Sequence, residues 1–290
     1  MANELFGADE VYVGRDVGGR TVVVSAADVE RYEAGTGDRH PWYHGDSPLG
    51  RGLAPALVYH SEVYRDLGWY LPNIIGNLHA KQEWEVFAPF HVGETVRTRS
   101  TVVARYRKRN RDYVVNEVLL TDADGRWLQR SRTHQSFLLD EPGDEIVVDK
   151  DRERRADRRF EVAADGEALS PISRAVSLTM CEAFSGPAKN YHTDREMARA
   201  LGFPDVVVQG MLSICFISEL MTHAFGVGWF CGGQLAVNLV NVLWGGEVVD
   251  TQGRIRTQTP EGRHTRVHVD VWCEKADGTK TIVGTASALR

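Results

Sequence analysis

Two short segments recur at one spacing, and this repeat constrains the fold more than any other feature of the chain. Val92-Gly93-Glu94-Thr95-Val96 is echoed by Gly245-Gly246-Glu247-Val248-Val249, with Gly93 and Gly246 153 residues apart. Asp122-Ala123-Asp124-Gly125 is echoed by Lys275-Ala276-Asp277-Gly278, again at 153 residues. Independent features that share one shift argue for a duplicated domain. A third echo runs at 149 residues: Asp28 to Asp38 leads into Thr36-Gly37-Asp38, as Ser177 to Pro187 leads into Ser185-Gly186-Pro187. The 290 residues suffice for two fused domains.

Each copy follows one plan: a polar loop, then a helix, then several strands. In copy one the helix is expected over Pro55 to Tyr70. Strands are expected near 79–87, 94–106, 112–121 and 129–139, with Asp124-Gly125 as a tight turn. In copy two the helix is expected from Gly210 to Phe225, where most residues are apolar, so it should be buried. Strands are expected near 233–243, 247–257, 263–274 and 280–289. Val267, Val269, Val271 and Cys273 alternate with the period of a half-buried strand. The expected domains are 1–140 and 160–290. The mixed-charge run between them, around Asp151 to Arg159, reads as a solvated linker over 141–159.

Composition narrows the function classes. With 42% hydrophobic and 26% charged residues the chain is ordinary for a globular protein. A net charge of −6 gives no reason to expect nucleic acid or an anionic membrane as partner. No apolar run reaches membrane-spanning length. Met1 to Glu10 lacks the basic and apolar regions of a secretory signal. Four scattered cysteines, Cys181, Cys215, Cys231 and Cys273, fit a reducing cytoplasm and form no metal-ligand spacing. No glycine-rich phosphate loop follows an expected strand, so no nucleotide cofactor is expected, and no cofactor or metal of any kind.

Chemistry is densest between Phe184 and Phe225. His192 lies in a polar loop and is the residue type that titrates near neutrality. Gly210 opens the apolar helix, whose first N–H groups are unpaired and carry partial positive charge. Beside a pocket, such groups stabilise an oxyanion. By spacing alone, a loop and a core helix without chemistry is the more frequent case and outweighs the active-site reading. Asn190, Tyr191, Gln209 and Met211 flank the pair and are candidates for holding substrate; Asn190 and Asp194 also fit roles as loop braces. Arg105 to Arg111 is basic and fits either a phosphate-binding patch or a solvated hairpin tip.

The stretch resembles the signature of the MaoC-like acyl dehydratases and (R)-specific enoyl-thioester hydratases, Ser-Gly-Asp-x-Asn-Pro-x-His followed by His-Gly-Met. Ser185, Gly186, His192, Gly210 and Met211 match it. The family aspartate falls on Pro187, the asparagine on Lys189 and the first histidine of the second motif on Gln209. Copy one is similar to the family's N-terminal half through Tyr32, Thr36 to Tyr43 and Gly52 to Pro55. The resemblance implies an α+β tandem hotdog, each copy a long helix wrapped by a curved antiparallel sheet. It implies a lyase acting on an acyl thioester, carried on coenzyme A or a carrier protein. His192 would then be the acid–base group and Gly210 N–H the oxyanion donor. The N-terminal half would shape the acyl tunnel. Asp38, with Tyr43 and His44, is a possible second site; the other reading of Asp38 is a structural hydrogen bond in a turn. Proline moves no proton, so Pro187 points to a diverged reaction, a single-base elimination, isomerisation or cyclisation. It also keeps open a different class, a non-catalytic acyl-binding scaffold. A homodimer is expected because sheet edges invite pairing.

Overall fold

The computed structural model describes residues 11–65, 78–108, 111–138, 162 and 165–290. The linker expected over 141–159 lies outside them, as does the end of the helix expected in copy one. Ten strands form one antiparallel sheet: β1 (Asp16–Val23), β2 (Leu78–Val86), β3 (Thr95–Lys108), β4 (Arg111–Thr121), β5 (Trp127–Leu138), β6 (Ile172–Ala175), β7 (Gln234–Leu239), β8 (Val248–Glu261), β9 (His264–Lys275) and β10 (Lys280–Leu289). Their order is β1-β3-β4-β5-β2-β7-β10-β9-β8-β6. That order reads as one five-strand set followed by its copy in reverse. The copies join where β2 pairs with β7, Trp84 opposite Leu235.

The repeat holds at the level of individual pairs. Trp84 faces Ser131 across β2 and β5, and 153 residues on, Val237 faces Gly284 across β7 and β10. Asn116 faces Thr133 as Val269 faces Ala286. Turns are duplicated too. Gly93 and Gly246 have φ of 94° and 89°, and Gly125 and Gly278 have 85° and 83°, a region that favours glycine. His91 N–H donates to Glu94 Oε2 (3.1 Å) as Trp244 N–H donates to Glu247 Oε2 (2.8 Å).

The helices are α1 (Ala26–Thr36), α2 (Glu62–Arg65), α3 (Leu178–Ser185), α4 (Arg195–Ala200), α5 (Gly210–Phe225) and α6 (Val227–Phe230). Ser25 and Asp28 close a reciprocal capping box at the start of α1. Asp194 caps α4 by accepting from Glu196 and Met197 N–H. α5 occupies the expected span, and Met211, Leu212, Ile214, Cys215, Phe216, Ile217 and Met221 are in the core. Copy one differs from expectation. Its segment from Pro55 is a series of turns, with Val58 N–H bonded to Pro55 O and His60 N–H to Leu57 O, and α2 spans four residues. The Ala56 carbonyl accepts from Gln129 Nε2 (2.8 Å) instead of from a helical N–H. Among the described residues no helix is long and apolar enough to cross a membrane.

Candidate active site

His192 sits between α3 and α4, on a loop braced from inside. Asn190 Oδ1 accepts from His192 N–H (2.8 Å), and Asn190 Nδ2 donates to Ser185 O (3.2 Å) and Ala188 O (3.0 Å). The Asn190 amide is thereby engaged within the loop. Lys189 points into solvent and pairs with Asp194 at 2.9 Å. The His192 ring lies 3.9 Å from that of Tyr191, which in turn packs toward Phe203.

His192 Nδ1 stands 2.6 Å from Val207 O, a group that only accepts, so Nδ1 carries the proton and Nε2 is the basic nitrogen. Burial pushes the imidazole down to about 4, with the Val207 contact opposing it, so the ring is neutral at pH 7. Val207 also anchors the segment entering α5: its N–H donates to Tyr191 O (3.2 Å), and Val208 N–H donates to Leu243 O (2.9 Å). Three residues after Val207 the helix begins at Gly210, where Gln209 makes no side-chain cap. Among the described residues, Gly210 and Met211 N–H have no protein acceptor. A Cβ on Gly210 would stand 2.1 Å from Leu239 Cδ2, so β7 lies against the helix start. Met211 is fully buried. The Gln209 side chain makes no hydrogen bond to another described residue.

Pro187 opens elsewhere. It lines a surface cleft with Leu178, Glu182, Lys189, Asp194 and Glu196, and His192 is not among the lining residues.

The loop of copy one is docked on α5. Asp38 is 1% exposed and accepts from Tyr43 OH (3.0 Å) and His40 N–H (3.2 Å). Burial, reinforced by Glu219, pushes its carboxyl up to about 7. Arg174 donates to both Glu219 oxygens at 2.7 Å. His223 and His40 meet edge to face at 5.2 Å. Ligand atoms of Asp38, Glu219 and His223 lie within 4.8 Å of one another, but Arg174 already supplies Glu219 with its cation. His44 turns away and meets Glu33 at 2.5 Å, so the structure joins Asp38 to Tyr43 and separates both from His44. Sequence reasoning missed Arg174, Glu219 and His223. The available signal was Glu219, with His223 one turn on, inside a largely apolar helix.

No family model and no curated protein matches this sequence. Solved structures do match it over nearly the whole chain. It is similar to a MaoC-like dehydratase (TM-score 0.71, 19% identity, 97% of this chain and 98% of that one). A MaoC-like dehydratase from Phytophthora capsici gives a TM-score of 0.72 at 17% identity, with the same coverage. A conserved hypothetical protein from Mycobacterium tuberculosis, described as having a double hotdog fold, gives 0.63 at 16% identity over 97% of both chains. Together with the paired five-strand sets, this likeness establishes the fold: the chain is a double hotdog.

Proposed function

We propose that the protein is a MaoC-like lyase that adds or removes water at an acyl thioester carried on coenzyme A or a carrier protein. The observation that carries this reading is the bond from His192 Nδ1–H to Val207 O. It leaves a neutral imidazole whose Nε2 has no partner among the described residues, and it ties that imidazole to Val207, on the segment that leads into the N–H groups of Gly210 and Met211. In the dehydration direction, Nε2 takes the proton from the carbon next to the thioester carbonyl. The negative charge gathers on the carbonyl oxygen, where the Gly210 N–H receives it. The imidazolium returns the proton to the departing hydroxyl, and water leaves. One group thus serves as base and then acid. Gln209 and Tyr191 border this position and would hold the substrate. The reading carries a homodimer in the cytoplasm, with neither nucleic acid nor membrane as partner.

The test is turnover of 3-hydroxybutyryl-CoA and crotonyl-CoA by the unmodified protein, His192→Ala and Pro187→Asp. His192→Ala should lower turnover by about 10²–10⁴. Crotonyl-CoA hydration should be slow in the unmodified protein and faster in Pro187→Asp. On the acid side the rate should fall near the lowered His192 value of about 4, not near 6.5. Unchanged turnover in His192→Ala removes His192 as the base. Fast hydration without the aspartate removes the argument from Pro187. Binding without turnover of any acyl-CoA would leave the non-catalytic scaffold.

A further inference from the structure

The two copies have the same strands in the same register, yet they turn different chemistry inward. Copy one presents Gln82, Ser100, Asn116, Gln129, Ser131 and Thr133, each no more than 2% exposed. At the equivalent positions, 153 residues on, copy two has Leu235, Gly253, Val269, Ile282, Gly284 and Ala286. The fold therefore accepts apolar residues at all six places, and sheet geometry does not demand the polar set.

Internal bonds satisfy only part of that set. Thr133 Oγ1 donates to Gln82 Oε1, Asn116 Nδ2 to Ser100 Oγ and Gln129 Nε2 to Ala56 O, each at 2.8 Å. Among the described residues Asn116 Oδ1, Gln129 Oε1, Ser131 Oγ and Trp84 Nε1 have no partner, and Trp84 and Ser131 are direct neighbours across β2 and β5. Tyr59 OH and His60 Nδ1, on the turn segment that Gln129 holds, also have no partner among the described residues. Buried polar groups without partners are costly and rare, and a cluster of them calls for a cause.

The set is also uncharged. Burial holds His60 neutral, pushed down to about 3, and His79 likewise, to about 4 with its Nε2 at Gln82. Tyr59 and Tyr64 are pushed up by burial. The nearby carboxylate on α2, Glu62, is paired with Arg20 and Arg65. Among the described residues Glu62, Arg20 and Arg65 already balance one another, so they give an ionised ligand little counter-charge. A plain aliphatic chain would leave the polar atoms unpaired.

We infer that the inward face of copy one binds an uncharged, hydrogen-bonding group, and that the acyl portion of the substrate carries hydroxyl or carbonyl oxygens beyond the reacting carbons. The acyl assignment rests on the thioester reading above; the polarity of the face does not. The test compares binding of 5-hydroxyhexanoyl-CoA and hexanoyl-CoA by calorimetry, in the unmodified protein and in Asn116→Val and Ser131→Ala. The hydroxylated ligand should bind at least about tenfold more tightly, the difference one buried hydrogen bond can make. Either variant should shrink that ratio toward one while melting no lower than the unmodified protein. Equal affinities, or a variant that melts lower with the ratio unchanged, would overturn the inference and make the polar set structural. If neither thioester binds, the thioester reading fails separately. The inference is then decided by 5-hydroxyhexanamide against hexanamide in saturation-transfer NMR. A hydroxyl-dependent signal lost in the variants supports it, and equal signals overturn it.

Discussion

At the residue scale, two buried titratable groups pull stability in opposite directions with pH. Burial lowers His192, so the unfolded chain binds its proton first and stability falls as pH drops from about 6.5 toward 4. Burial and Glu219 raise Asp38 to about 7 from an ordinary 3.8. The folded form holds the proton more tightly, so its contribution is complete below about 3.8 and is lost as pH rises through 7. The loss is on the order of 4 kcal/mol over that window. Asp38→Asn stays neutral throughout. Its melting temperature relative to the unmodified protein should therefore rise between pH 5 and pH 8. A constant difference across that range would show that Asp38 titrates normally. Tyr43 donates to Asp38 whichever way Asp38 is ionised, so the hydrogen bond alone does not separate a structural aspartate from a catalytic one.

At the element scale, α5 organises copy two and its start is closely packed. Gly210→Ala would place a methyl group where Leu239 Cδ2 now lies, at 2.1 Å. The side chain must shift, at a cost of about 1–3 kcal/mol. Because alanine keeps its N–H, the oxyanion donor survives. Urea denaturation should show the loss in Gly210→Ala and a partial recovery when Leu239→Ala is added, since the two positions share one space. Additive losses would mean that Leu239 does not set the fit. Copy one has no matching helix over Pro55 to His60, because its chain bonds in i to i+3 turns and passes the Ala56 carbonyl to Gln129.

At the scale of the whole molecule, the β2–β7 pairing matters most. Lys81 to Glu85 run against Asn238 to Gln234, and this ladder turns two half-sheets into one. It leaves β1 and β6 as the only edges among the described strands. β6 is four residues long, while β1 has eight and an exposed Val23. β1 is thus the better template for pairing between molecules. Light scattering should give twice the mass of one chain, and a monomer at working concentrations would remove the dimer. The outward side of the seam carries Lys81–Glu83, Glu85–Arg130 and Glu117–Arg132 pairs, which suit a solvated face more than a buried one.

Local periodicity and the duplicated turns determined eight of the ten strands, the two-copy plan and the span of α5, because those signals act over a few neighbouring residues; the edge strands β1 and β6 were not among the expected ones. The loop readings around Asn190 and Asp194 were legible for the same reason: short polar side chains bond to their own backbone. Tertiary structure alone decided which groups share a site. It placed Val207 under His192, and it set the copy-one loop against Glu219, Arg174 and His223, more than 130 residues further along the chain. It also revealed that Asn116 on β4 and Gln129, Ser131 and Thr133 on β5, the last three in a run that is polar at every position from Gln129 to Ser136, point inward in copy one. Alternation fixes only that neighbouring residues face opposite ways. Which side is the interior depends on where the covering chain packs, and no single strand carries that information.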